Sequence, residues 1–156
     1  MMDVKLERDR KSQLCQECVE WLSVVTGCEN CYASLQDGES DSMTYVAASS
    51  SHLFMIGKKH DLVEEERGYG ISFNACKAAT VQGDSMLLCI DDVSDSSCVP
   101  FQGQKVKTFL EGEKTGSLLL GTITGNDSNG ECRSLGVVFL DFIGTKRKFS
   151  ESDKEI

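Results

Sequence analysis

Long apolar runs are missing from this sequence of 156 residues. The nearest approach, Leu135 to Leu140 with Gly136 inside it, is far too short to cross a bilayer. Basic residues are scarce: 16 Lys and Arg stand against 25 Asp and Glu, a formal net charge of −9. That deficit argues against a broad nucleic-acid surface and against attraction to an anionic membrane. No secretory signal is expected, because Met1 to Arg10 is charged and no apolar stretch follows it. Eight cysteines are too few for a disulfide scaffold of this length, so the expected compartment is reducing and cytoplasmic. Histidine is limited to His52 and His60, and nothing supports a Ser-His-Asp arrangement. Gly-x-Gly-x-x-Gly is absent because Phe73 stands at the third glycine's place, and Gly112 to Gly116 lacks the order of a phosphate loop. What is present, 40% hydrophobic residues over this length, suffices for one domain with a real core.

The chain opens on a charged lead, residues 1–12, with acids and bases closely mixed. Leu14, Cys18, Trp21, Leu22 and Val25 then recur at helical spacing, opposite Gln13, Gln16, Glu17 and Glu20. The spacing predicts an amphipathic helix over 13–26, with Ser12 as N-cap, Gly27 at the C-terminal cap and a possible extension back through the lead. Cys31, Ala33 and Leu35 alternate with Tyr32 and Ser34 as a strand ending at Asp37-Gly38, and 43–48 supplies its hairpin partner. Residues 53–56 fit a short strand or a turn of helix, and Glu64 to Glu66 a solvated face. Residues 72–80 read as a short helix with Phe73, Cys76 and Ala79 inward, and 86–90 as a buried strand stopping at Asp91-Asp92. A polar loop, 94–104, holds Pro100, and 106–110 reads as helical. Two long strands, 117–124 and 133–142, flank the turn-rich Gly125 to Gly130. Finally Phe149-Ser150-Glu151-Ser152-Asp153 carries a helix start, with Ser150 and Asp153 as a capping box. The chain stops at Ile156, within the first turn, so the domain over 13–156 is expected to be cut at the start of its C-terminal helix.

Two Cys-x-x-Cys pairs, Cys15/Cys18 and Cys28/Cys31, have the makings of a tetrahedral thiolate site for zinc. The insert between them continues the apolar face of the helix, however. An intact helix of fourteen residues spans roughly 21 Å, and free cysteine packs as a small hydrophobe. Core packing is therefore the expectation, with no metal and no cofactor. Asp91, Asp92 and Asp95 lack the spacing of a calcium loop and fit a turn after a strand. Lys146-Arg147-Lys148 is too short for a nucleic-acid or phosphate patch and suits an exposed turn.

The second half of the chain resembles the GAF domain, a small-molecule-binding and dimerising module of signalling proteins. The resemblance is carried by Gly70-Ile71 ahead of Ala75-Cys76-Lys77-Ala78-Ala79, and by Leu87-Leu88-Cys89-Ile90 ending at Asp91-Asp92. It continues in Gly116-Ser117-Leu118-Leu119, in Leu135-Gly136-Val137-Val138 and in Phe149 to Asp153. It implies an α+β fold with an antiparallel sheet of about six strands. Terminal helices are expected on one face of that sheet and a ligand-pocket segment on the other. It implies a pocket walled by residues 73–79, 89–92 and 94–110, to which Phe73, Cys76, Cys89, Asp91, Asp92, Phe101, Phe109 and Ser117 would contribute. Cyclic-nucleotide-binding members carry Asn-Lys before the final Phe and Asp-Glu after it. Here Ile143-Gly144 and Asp153-Lys154 stand instead. Bilin-binding members commonly follow the anchoring Cys with His, and neither His52 nor His60 follows a Cys.

The resemblance thus implies a non-catalytic regulatory or interaction module of a longer intracellular protein. It would sense a small molecule or contact neighbouring domains or a homodimer partner through its terminal helices. Two alternatives stay open. One is a scaffold whose pocket is filled by Phe73, Phe101 or Phe109. The other is the family's enzymatic branch, a thiol-dependent reductase of free methionine sulfoxide using Cys76, Cys89 or Cys98. That branch has an acid after the Ser of the penultimate strand, where this chain has Leu118 after Ser117.

Overall fold

The computed structural model describes residues 2–38, 42–61, 71–93, 116–127 and 129–156. Helix α1, Met2–Thr26, is continuous through the charged lead. Ser12 therefore does not cap it; its hydroxyl donates to the Arg8 carbonyl one turn back, at 3.0 Å. The helix ends where Gly27 takes a left-handed φ of 62°, as the sequence predicts. Strands β1, Asn30–Gln36, and β2, Ser42–Ala48, follow as a hairpin. The ambiguous 53–56 stretch resolves as part of a 3-10 helix, Ser50–Met55, and β3, Lys59–Asp61, comes next. Helix α2, Ile71–Gln82, leads to β4, Leu87–Ile90, then to β5, Leu118–Asn126, and β6, Cys132–Asp141. A final turn of helix, α3, spans Glu151–Lys154.

Six strands form one sheet in the order β3-β2-β1-β6-β5-β4, each pair antiparallel. The first and last long strands, β1 and β6, lie side by side in the middle. Gly136 of β6 sits opposite Leu35, where a Cβ would run into the Ser34 carbonyl. Strand alternation then divides the core in two. One side holds Cys31, Ala33, Ala47, Leu119 and Leu140 with Val19 of α1, Phe142 and Phe149. The other holds Met43, Leu118, Leu120, Val137 and Phe139 with Ala75 and Cys76 of α2. Both terminal helices thus belong to one face and α2 to the other. This is the expected arrangement, with the expected number of strands.

The side that α1 turns inward differs from expectation. Cys15, Val19 and Leu22 pack on the sheet, whereas Leu14, Trp21 and Val25 face outward with 61%, 54% and 43% of their surface exposed. Apolar residues occur around much of this helix, and the sheet beneath is built of Cys31, Ala33 and Ala47. The Gln16 amide strengthens the inward side: it donates to the Ala48 carbonyl at 3.0 Å and accepts from the Ala48 N–H at 3.1 Å.

The C-terminal segment returns to the end of α1. Arg147 donates to the carbonyls of Gly27 at 3.0 Å and Thr26 at 2.7 Å, with its guanidinium 4.2 Å from the centre of the Phe142 ring. Phe142 and Phe149 stack with centroids 4.6 Å apart. The predicted capping box is present: Ser150 Oγ accepts from the Asp153 N–H, and Asp153 accepts from the Ser150 N–H.

Candidate functional site

Helix α2 rests on β6 and β5 through small residues. Ala75, Cys76 and Ala79 are buried, and the Cys76 thiol lies 3.6 Å from the Gly136 carbonyl. Cys76 is thus on the side expected for a pocket. Burial pushes its thiol above the ordinary range against a hydrogen bond with Ser134, so the sulfur is a neutral packing group. Phe73 falls on the same helix. Phe101, Phe109, Cys98 and the 94–110 loop lie outside the described residues.

Cys89 and Ser117 fall on the opposite side of the sheet. On β4, Leu88 and Ile90 pack towards α2, so Cys89 between them points to the α1 side. Its sulfur lies 3.8 Å from Asp91, and burial again raises its pKa, opposed by Lys154 of α3. Ser117 is fully buried and donates to the Arg147 carbonyl at 3.1 Å, which ties β5 to the C-terminal segment. Asp91 is exposed and Asp92 half-buried at the end of β4, followed by the buried Val93, whose N–H donates to the Gly116 carbonyl. The structure therefore separates Cys76 from Cys89 and Ser117 by the thickness of the sheet.

The four cysteines of the paired motifs join the α1 side. Cys28 and Cys31 are buried, Cys15 is half-buried, and Cys18 is exposed. Burial pushes the Cys28 thiol up to about 11 and the Cys31 thiol up to about 12. Among the described residues, no three His, Cys, Asp or Glu side chains converge as metal ligands. Cys28 instead donates to the Asp141 carbonyl at 3.1 Å.

A polar group that the sequence reading missed sits where the rest of the α2-side core meets β1. Asp141, at the end of β6, keeps only 6% of its surface exposed. Its carboxylate accepts from Tyr32 Oη at 2.9 Å, Asn30 Nδ2 at 3.0 Å and the Ile143 N–H at 3.1 Å. Among the described residues no Lys or Arg pairs with it. Burial, then the neighbouring Asp141, drives the Tyr32 hydroxyl well above its ordinary pKa, so Tyr32 is a fixed donor and not a base. Around it stand Phe139, Tyr45 and His52, with centroids 5.2, 5.8 and 6.1 Å from the Tyr32 ring. Aromatic walls with a few converging polar groups are what small-molecule sites are made of. Two sequence cues existed: an acid closing the apolar run Val137 to Leu140, and a tyrosine amid small residues of β1. A separate open groove of about 590 Å³ runs between the end of α2 and the β5–β6 turn, past Gly83, Cys132 and Arg133. Arg133 is already paired there with Asp127 at 2.8 Å.

No protein-family model matches the sequence, and no curated protein matches it significantly. Solved structures do. The A. aeolicus nlh2 GAF domain in an inactive state aligns with a TM-score of 0.52 at 17% identity, over 91% of this chain and 71% of that one. Residues 122 to 287 of a methyl-accepting chemotaxis protein align with a TM-score of 0.59 at 20% identity, over 96% and 85%. A far-red cyanobacteriochrome photoreceptor aligns with a TM-score of 0.57 at 14% identity, over 99% and 86%. With the strand order, the α2 face and the terminal helices, these alignments establish that the chain has the GAF-domain fold.

Proposed function

We propose that this chain is a non-catalytic regulatory module whose terminal helices carry a signal to a second copy or to neighbouring domains. The observation that carries this reading is the outer stripe of α1. Leu14, Trp21, Val24 and Val25 are 61%, 54%, 80% and 43% exposed on one helix. Contiguous apolar surface of this kind marks an interaction site. The polar and aromatic group around Tyr32 and Asp141 supplies the sensing side, since a small molecule held there touches strands whose other face supports α1. Such a ligand shifts the helices only through different affinity for two states. The chemotaxis and photoreceptor structures that share the fold are in keeping with a sensory role. The raised pKa values of Cys28, Cys31, Cys76 and Cys89, and the split of Cys76 from Cys89 across the sheet, speak against thiol chemistry.

The test is light scattering on the purified chain beside Leu14→Glu/Trp21→Glu. The reading expects a dimer for the parent and a monomer with unchanged circular dichroism for the variant. A monomeric parent, or a variant that still dimerises, removes the role given to α1.

A further inference from the structure

We propose that Ser150 is a phosphorylation site for a serine kinase that reads basic residues ahead of its target, and that the phosphoryl group draws Arg147 away from the end of α1. The basic triplet Lys146-Arg147-Lys148 finds no use in the packing as a unit. Only Arg147 is engaged, while Lys146 and Lys148 are exposed and make no ion pair among the described residues. The triplet stands four, three and two residues before Ser150. Kinases select substrates by such charge patterns. Residues 147–150 have no regular structure, and Ser150 itself is extended, with φ −77° and ψ 167°. Ser150 is exposed. It caps α3, Glu151–Lys154, none of whose residues is buried. A turn that buries no side chain opens readily, and with Phe149 lifted from Phe142 the segment can extend in a kinase cleft.

In the transfer, Ser150 Oγ attacks the γ-phosphorus of a nucleoside triphosphate. The new O–P bond forms as the bond to the β-phosphate oxygen breaks, the nucleoside diphosphate leaves, and the hydroxyl proton passes to the kinase's base. The consequence follows from the present contacts. Ser150 Oγ donates to Asp153 Oδ2 at 2.7 Å, so a group of about −1.5 to −2 charge would be set against a carboxylate. That repulsion breaks the capping box. Arg147, three residues back, now holds two neutral carbonyls of α1, whereas a guanidinium binds phosphate through two charge-assisted hydrogen bonds. Transfer of Arg147 to the phosphate leaves the last turn of α1 without the cation that caps its carbonyls. The modification thereby uncouples the two terminal elements, a form of regulation separate from any ligand on the α2 side.

The whole chain is incubated with ATP and a kinase of this basic-directed class, and the modified residue is mapped by mass spectrometry. Phosphate is expected on Ser150, absent in Ser150→Ala, and slowed at least tenfold in Lys148→Gln, a change at an exposed position. A chain with Ser150 unmodified, phosphate on Ser152 instead, or a Lys148→Gln rate equal to the parent's overturns the site. Hydrogen exchange over residues 22–28 then tests the consequence. It is expected to accelerate severalfold in the phosphoprotein, and equally in unmodified Arg147→Gln. Exchange unchanged by phosphate overturns the uncoupling of α1.

Discussion

Asp37 joins three elements through one carboxylate. It accepts from Arg8 of α1 at 2.9 Å, from Lys59 of β3 at 3.2 Å, and from Thr44 and Ser42 of β2 at 2.7 and 3.0 Å. Burial pulls its pKa up, but the bonds from Thr44, Lys59 and Ser42 outweigh that, and the net value falls below the usual carboxylate range. A depressed folded-state pKa stabilises the fold above the unfolded-state value, and that stability drains as pH falls through the folded one. Acid titration of the parent should therefore show a stability loss below the ordinary carboxylate range that Asp37→Asn lacks. At neutral pH that substitution should cost about 2 kcal/mol in urea unfolding. Tyr32→Phe makes a related case. It removes one of three donors to the buried Asp141 and should cost about 1 kcal/mol, with the sheet intact by circular dichroism.

At the scale of elements, α1 offers a paired comparison. Val19 is fully buried against Ala33 and Ala47, and Leu14 is exposed. Val19→Ala should cost about 2 kcal/mol, and Leu14→Ala less than about 0.5 kcal/mol in the monomer. Helical spacing alone cannot make that distinction. Cys15, Val19 and Leu22 are as well spaced as Leu14, Trp21 and Val25, and the choice is made by small side chains on strands that lie later in the chain. Strand alternation was more legible: it placed Cys31 and Ala33 inward, and applied to β4 it would also have parted Cys89 from Leu88. The capping box at Ser150 and Asp153 was legible because its chemistry is local. The bond from Tyr32 to Asp141 was not, since it joins residues 109 positions apart. Strand β3, Lys-His-Asp, has no apolar alternation to betray it. Gly136→Ala belongs to this scale too. Its Cβ would meet the Ser34 carbonyl in mid-sheet, where backbone cannot yield, and the variant should unfold at least 2 kcal/mol more easily.

For the molecule as a whole, the two-sided core predicts a pattern of thiol access. Cys18 is exposed, while Cys28, Cys31 and Cys76 are buried on different faces of the sheet. In the Leu14→Glu/Trp21→Glu monomer, a thiol-reactive dye followed by mass spectrometry should label Cys18 in the native state and leave those three untouched until denaturant is added. Labelling of Cys76 at the native rate of Cys18 would mean that α2 lifts from β6 far more often than its buried packing allows.

The central pairing of β1 with β6 has a consequence in time. Tyr32 faces Phe139 across that ladder, so the middle of the sheet is closed by residues more than a hundred positions apart. On a ribosome, the β1–β2 hairpin emerges with its inner edge bare and waits while the residues up to β6 are made. An edge left bare for so long is a standing invitation to another nascent chain. Loop closure over that distance also slows the search, so refolding from urea should take milliseconds to seconds, as expected of a topology rich in distant contacts. The early hairpin is therefore the segment that a holding chaperone has most reason to cover, and synthesis rate should govern yield more than final stability does.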